Sequence, residues 1–126
     1  MILEGAINQH GPIVRVRLRG PDGYEIEGDA LIDTGAGRTI VDAATARRLR
    51  VPVTGTRRTQ SACGQCDMPE IQVEMRVAQM PWAMRQLYAQ PGLDKGQLVA
   101  CLGWDFLGMG RLTTDGKKRR WRFVID

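Results

Sequence analysis

The sequence predicts an all-β domain, a closed barrel-like or sandwich-like sheet with one or two short helices. Three observations lead there. Two stretches, Ile13–Arg19 and Ile71–Val77, alternate apolar and polar residues with period two, the pattern of half-buried strands. Glycine is abundant, 15 of 126 residues, and turn dipeptides punctuate the chain. Helical patterns are confined to two short segments, so about seven strands stand against two helices, a balance that favours all-β architecture.

Taken in order, Ile13–Arg19 runs into Gly20-Pro21-Asp22-Gly23, a strong turn signal, and Tyr24–Ile32 resumes the extended pattern as far as Asp33. Beyond a loop, Thr39-Ile40-Val41 is short and β-branched. Asp42 suits a helix N-cap, and good helix formers follow over Ala43–Leu49 until Val51-Pro52 discourages continuation. Thr54–Ser61 carries the threonines of a strand, and "ACGQCDMP" has the composition of a turn tip. Ile71–Val77 is the most regular strand pattern in the chain. Met80–Gln97 holds two prolines and two glycines and reads as a long loop with room for one helical turn. Leu98–Leu102 is a continuous apolar run, as in a buried strand. Gly103 breaks it, and Trp104–Leu107 begins a short helix. Arg111–Ile125 closes the chain as a hairpin around Asp115-Gly116, with Trp121, Phe123 and Ile125 on one face. Nothing reads as a repeat or linker, so one domain is expected over residues 1–126.

Composition narrows the function. No apolar run is long enough to cross a bilayer. The opening "MILEGAINQHG" lacks a basic region followed by an apolar stretch, so a cytoplasmic location is expected. Three cysteines, an odd and small number, argue against a disulfide framework. The formal charge is +4, much of it in "ARRLR" and "GKKRRWR". With no recognition helix or set of stacking aromatics beside them, these runs read as solvated faces and argue against a nucleic-acid partner.

The chemistry concentrates in "ALIDTGAGRTIVD", where an apolar strand stops at Asp33, turns through Thr34-Gly35-Ala36-Gly37 and resumes as apolar residues. An acid ending a buried strand is costly unless it is satisfied or used. The carboxylate either caps amides of its own turn or does chemistry. A second apolar strand ends in a glycine with a short helix behind it, "CLGWDFL". Together these two features resemble the retropepsin-like aspartic proteases, single-domain relatives of pepsin, over Gly11 to Ile125. The resemblance implies an acid-protease fold that forms a single lobe of a twofold homodimer. It also implies an endopeptidase acting on polypeptides through a water between two Asp carboxyls, with no metal or other cofactor. The chain offers one Asp-Thr-Gly, and Asp105 lacks the Thr-Gly that would aim it, so the second carboxyl would come from a partner copy. Position by position, the resemblance assigns Asp33 as catalytic and Thr34 and Gly35 as supports of its loop. Ala36, Gly37 and Gly64 become substrate-binding, Gly64 at the tip of a flap formed by the hairpin Thr54–Val77. The alternative is the same fold gripping a peptide or mediating assembly without cleavage.

Several residues keep open readings. Cys63 and Cys66 suit a zinc pair completed by Cys101 or His10, a redox pair in an exposed flap, or two small loop residues. Cys101 reads as buried and His10 as surface. Asp105 reads as the cap of the helix after Gly103, with bracing of the active-site loop as the second reading that the resemblance implies. Trp104, Phe106 and Leu107 read as core and dimer packing. Trp82 and Met84 would line the substrate groove or pin their own loop. By the resemblance, part of "KKRRWRF", or the first residues, is expected to interleave with a partner's chain ends.

Overall fold

The computed structural model describes residues 1–61 and 64–126. Among the described residues ten strands and two short α-helices follow one another: β1 (Ile2–Asn8), β2 (Gly11–Arg19), β3 (Glu25–Ile32), β4 (Ile40–Asp42), α1 (Ala43–Leu49), β5 (Val53–Ser61), β6 (Gly64–Val77), β7 (Ala83–Gln90), β8 (Leu98–Leu102), α2 (Trp104–Leu107), β9 (Arg111–Asp115) and β10 (Arg120–Val124). The all-β expectation holds. No helix among the described residues is long and apolar enough to cross a membrane.

The sheet order is β5-β6-β7-β4-β8-β3-β2-β1-β10-β9, and β6 also pairs with β2. That extra pairing closes six strands, β6-β7-β4-β8-β3-β2, into a ring. It is not a simple barrel: β5 hangs from β6 as an appendage, and β1, β10 and β9 form a ribbon off β2. Leu18, Val16, Ala30, Val41, Ile71, Val73, Ala100 and Leu102 fill the core, each at most 1% exposed. Their period-two placement on β2 and β6 is what the sequence pattern announced.

Two strands lie where none was expected. β7 occupies much of the supposed long loop, and a 3-10 turn at Leu93–Gly96 takes part of the rest. Its burial does not alternate, because Leu87, Tyr88 and Ala89 are all buried. The strand lies between β4 and β6, which hides the period-two signal. β1 carries a glycine in its middle, normally unfavourable in a strand. Here Gly5 faces the Trp121 ring, where an added Cβ would come within 2.6 Å of ring atoms.

The terminal strands pair within the chain: Ile2 to Ala6 of β1 run antiparallel to Val124 to Arg120 of β10, whose other edge is taken by β9. Both edges of β10 are thus filled within the chain, whereas, among the described residues, Ile2 to Ala6 of β1 pair in the sheet only with β10. The indole of Trp121 donates to the Ile13 carbonyl at 2.9 Å, and Phe123 stacks on Phe106 at 5.4 Å. The ribbon is thereby fastened to the ring and to α2.

Candidate active site

Asp33 sits where β3 ends, beside β8, which runs parallel to it with Leu31 opposite Cys101 and Ile32 opposite Leu102. Parallel pairing brings the ends of both strands to one edge of the ring. The Asp33 amide continues the ladder, donating to the Leu102 carbonyl at 2.9 Å. The chain then turns, Ala36 N–H donating to the Asp33 carbonyl at 3.1 Å. The Gly35 N–H donates to Asp33 Oδ1 at 2.9 Å. A Cβ on Gly35 would lie 3.2 Å from that oxygen, so glycine lets the backbone reach the carboxylate. Asp33 is half-buried, and Thr34 and Gly35 are exposed at the surface of the chain.

A second loop braces the first. Gly103 is packed so closely that a Cβ would meet the Ala36 carbonyl oxygen and the Arg38 carbonyl carbon, each at 2.7 Å. Trp104 donates its backbone N–H to the Ala36 carbonyl at 3.0 Å and its indole N–H to the Thr34 carbonyl at 2.7 Å. Thr39, only 2% exposed, donates to Asp105 through its N–H at 3.0 Å and its hydroxyl at 2.7 Å. The hydroxyl oxygen accepts the Gly103 N–H at 3.1 Å. This chain of bonds ties the two halves of the site across 64 to 66 positions of sequence.

These contacts decide between the two readings of Asp105 and bear on that of Trp104. The N-cap of α2 is Gly103, without a side-chain cap bond. Asp105 does accept the N–H of Phe106 at 3.0 Å, but its larger share of bonds goes to Thr39, so it braces the loop. Phe106 and Leu107 are core as expected, whereas Trp104 is 52% exposed in the single chain and is not core; its indole is bonded to the Asp33 loop.

In front of the loop lies a cavity of about 340 Å³. Asp33, Gly35, Ala36 and Gly37 border it on one side, and Ile40, Met68 and Tyr88 give it apolar walls. Arg38, Thr59 and Gln90 add polar groups. Arg57 donates to the Tyr88 hydroxyl at 3.2 Å, which ties the β5–β6 hairpin to the wall and pushes the Arg57 pKa up. Cys101 lies behind the site. Burial first, and the charge of Asp33 second, push its thiol up to about 11; such a thiol is inert at neutral pH.

The site thus gathers Asp33, Thr34, Gly35, Ala36 and Gly37. Gly64 lies at the end of the β5–β6 hairpin, paired with Ser61 at positive φ, and does not border the cavity. Sequence reading missed Thr39 as a brace and Ile40, Met68 and Tyr88 as walls. Thr39 offered one signal, a polar residue opening an apolar run. Trp82 lies against the Arg19 guanidinium, 4.1 Å from its ring centre, and Met84 is 60% exposed; neither borders the cavity. His10 is exposed, as expected. Cys63 lies outside the described residues, and with it the pairing of Cys63 and Cys66. Among the described residues no group of three or more His, Cys, Asp or Glu side chains is placed to hold a metal ion.

Comparison with known proteins agrees with this geometry. No curated protein matches the chain significantly. A retropepsin-like aspartic protease from Rickettsia conorii superposes with a TM-score of 0.59 at 16% identity, over 98% of this chain and 90% of that one. The retroviral protease-like domain of Ddi1 from Leishmania major gives 0.50 at 17% identity, over 90% of this chain and 88% of that one. At such identities the likeness is one of fold. A family model described as aspartyl protease matches residues 14–106, a span that holds the Asp33 loop and its brace, and the chain therefore belongs to the aspartyl protease family, with a retropepsin-like fold.

Proposed function

We propose that this protein is a homodimeric aspartic endopeptidase in which Asp33 of each chain meets its twin on a twofold axis. One observation carries the reading: Asp33 sits half-buried at the edge of a cavity, on a braced loop whose tip, Thr34 and Gly35, is exposed. A turn that only satisfied its own amides would have no need of a buried brace reaching across the chain. An isologous contact through that tip would bury it and bring the two carboxyls together. Thr34 of each chain would then meet the partner loop, and Ala36 and Gly37 would lie along the substrate backbone.

Two carboxyls at such close range do not both ionise readily and share a proton. The ionised one takes a proton from the trapped water as the water oxygen attacks the peptide carbonyl carbon. The protonated one gives its hydrogen to the carbonyl oxygen. The carbon–nitrogen bond then breaks as a proton passes to the leaving amine. The hairpin of β5 and β6 would close over the bound chain and exclude water.

The test is cleavage of an unfolded polypeptide by the wild type and by Asp33→Asn. Loss of a positioned acid–base group costs about 10²- to 10⁴-fold in rate, and specific activity of the wild type should fall on dilution as dimers part. Equal cleavage by the two proteins would remove Asp33 from the chemistry. Peptide affinity with no turnover from acid to neutral pH would make the protein a binding module on the same fold.

A further inference from the structure

The cavity at Asp33 is also bordered by a cation that forms no ion pair among the described residues. Arg38 borders it and is exposed, and it takes no part in the ion pairs among the described residues. The arginines of β5 are engaged: Arg57 holds the Tyr88 hydroxyl and Arg58 sits 3.7 Å from Asp67. The backbone of Arg38 is nevertheless held firmly. Its carbonyl packs on Gly103, and the next residue, Thr39, is bonded to Asp105. A guanidinium rooted on such an anchor offers a positive charge and a planar fork that matches a carboxylate.

The space beside it suits an extended chain. A second cavity of about 370 Å³, largely apolar, is bordered by Cys66, Pro69, Ala89, Pro91 and Asp67, the last already paired with Arg58, and it shares Met68 and Gln90 with the first. A polypeptide laid through both would alternate its side chains between the apolar walls and the polar side.

We infer that Arg38 is a specificity-determining residue that selects polypeptides with an aspartate or glutamate close to the scissile bond. The acidic side chain pairs with the guanidinium while an apolar neighbour fills the space among Ile40, Met68 and Tyr88. The inference rests on the protease reading above and names its substrate class. The net charge of +4 favours encounter with such acidic segments.

The experiment compares peptide pools that differ only in carrying acidic, amide or basic residues near the cleavage point. For the wild type, kcat/KM for the acidic pool should exceed that for the amide pool by about tenfold, the scale of one charge-assisted hydrogen-bonded pair. Arg38→Gln should bring that ratio close to one, Arg38→Glu should invert it toward the basic pool, and added salt should shrink it. A wild-type ratio near one, or an acidic preference that survives Arg38→Glu, overturns the inference and makes Arg38 a surface charge or a contact to the second copy. If no pool is cleaved, the protease reading fails on its own account. Fluorescent acidic and amide peptides then decide between the same outcomes by affinity, and equal binding by the wild type overturns the inference.

Discussion

The two sides of the cavity are built differently. On one side the Asp33 loop is held by Thr39, Gly103 and Asp105, a buried network in which every bond crosses from one part of the chain to another. On the other side lies the β5–β6 hairpin. β5 has no buried residue over Val53–Thr59 and is an edge strand with one neighbour. β6 changes character along its length: Ile71, Val73, Met75 and Val77 are core, whereas Gln65, Cys66 and Asp67 are exposed and only Met68 of the outer half is buried. The carboxylate has a rigid seat, and the element facing it is weakly anchored. A site that must hold an acid in place and yet admit a chain needs both kinds of support.

That contrast can be broken by substitution. The largest effect is expected in the brace. Thr39→Val removes a buried hydroxyl, leaving the Gly103 N–H unpaired and the Asp105 carboxylate short of a donor. It should cost about 3 kcal/mol, since each stranded buried polar group costs about 1–3 kcal/mol. Urea unfolding measures this, and a cycle with Asp105→Asn should show coupling of at least about 0.5 kcal/mol. Independent, additive losses would mean that the network is not one unit. Next comes Gly103→Ala, whose methyl has only backbone to push against. Overpacking of that kind costs about 1–3 kcal/mol, and the Asp33 loop should shift with it, lowering activity more than stability alone explains.

Cys101 sharpens the comparison from behind the rigid side. Its thiol ionises near 11 in the fold against an ordinary 9.0. The unfolded chain therefore releases this proton first, and stability falls as pH rises from the lower value through the higher. Once both forms have ionised, the loss attributable to this residue is at most about 3 kcal/mol. Thermal melts from pH 8 upward should show it in the wild type, and it should be absent from the matched difference in Cys101→Ala. A variant that loses stability just as steeply would place the thiol in contact with water.

The smallest stability effects belong to the hairpin. Thr59→Ala and Arg57→Gln remove contacts at exposed or half-exposed positions, and such changes stay within about 0.5 kcal/mol. If the hairpin closes over substrate, the same variants should raise KM for peptides. Destabilisation by either on the scale of Thr39→Val would abolish the distinction between the two sides.

The strands whose pleat has one wet face were legible from the residues, and so was the Asp33 turn between two apolar runs. Less could be read where neighbours override local pattern. β7 has strands on both sides and so no alternation to detect. β1 hides behind a glycine whose purpose is the Trp121 ring. Asp105 looked like a helix cap because Phe106 is its neighbour in sequence, while Thr39, its principal partner, is 66 residues away.

What the sequence determined by itself was the alternation that makes β2 and β6 strands and the Asp-Thr-Gly chemistry where β3 ends, because these depend on residues within a few positions of one another. The tertiary structure alone decided that β3 and β8 end side by side, that Thr39 reaches Asp105, that Arg38 borders the cavity with no ion-pair partner among the described residues, and that the chain's own ends pair. Each of those depends on which distant strand fills a given edge of the sheet, and a ladder of backbone hydrogen bonds leaves no side-chain signature of its partner in the sequence.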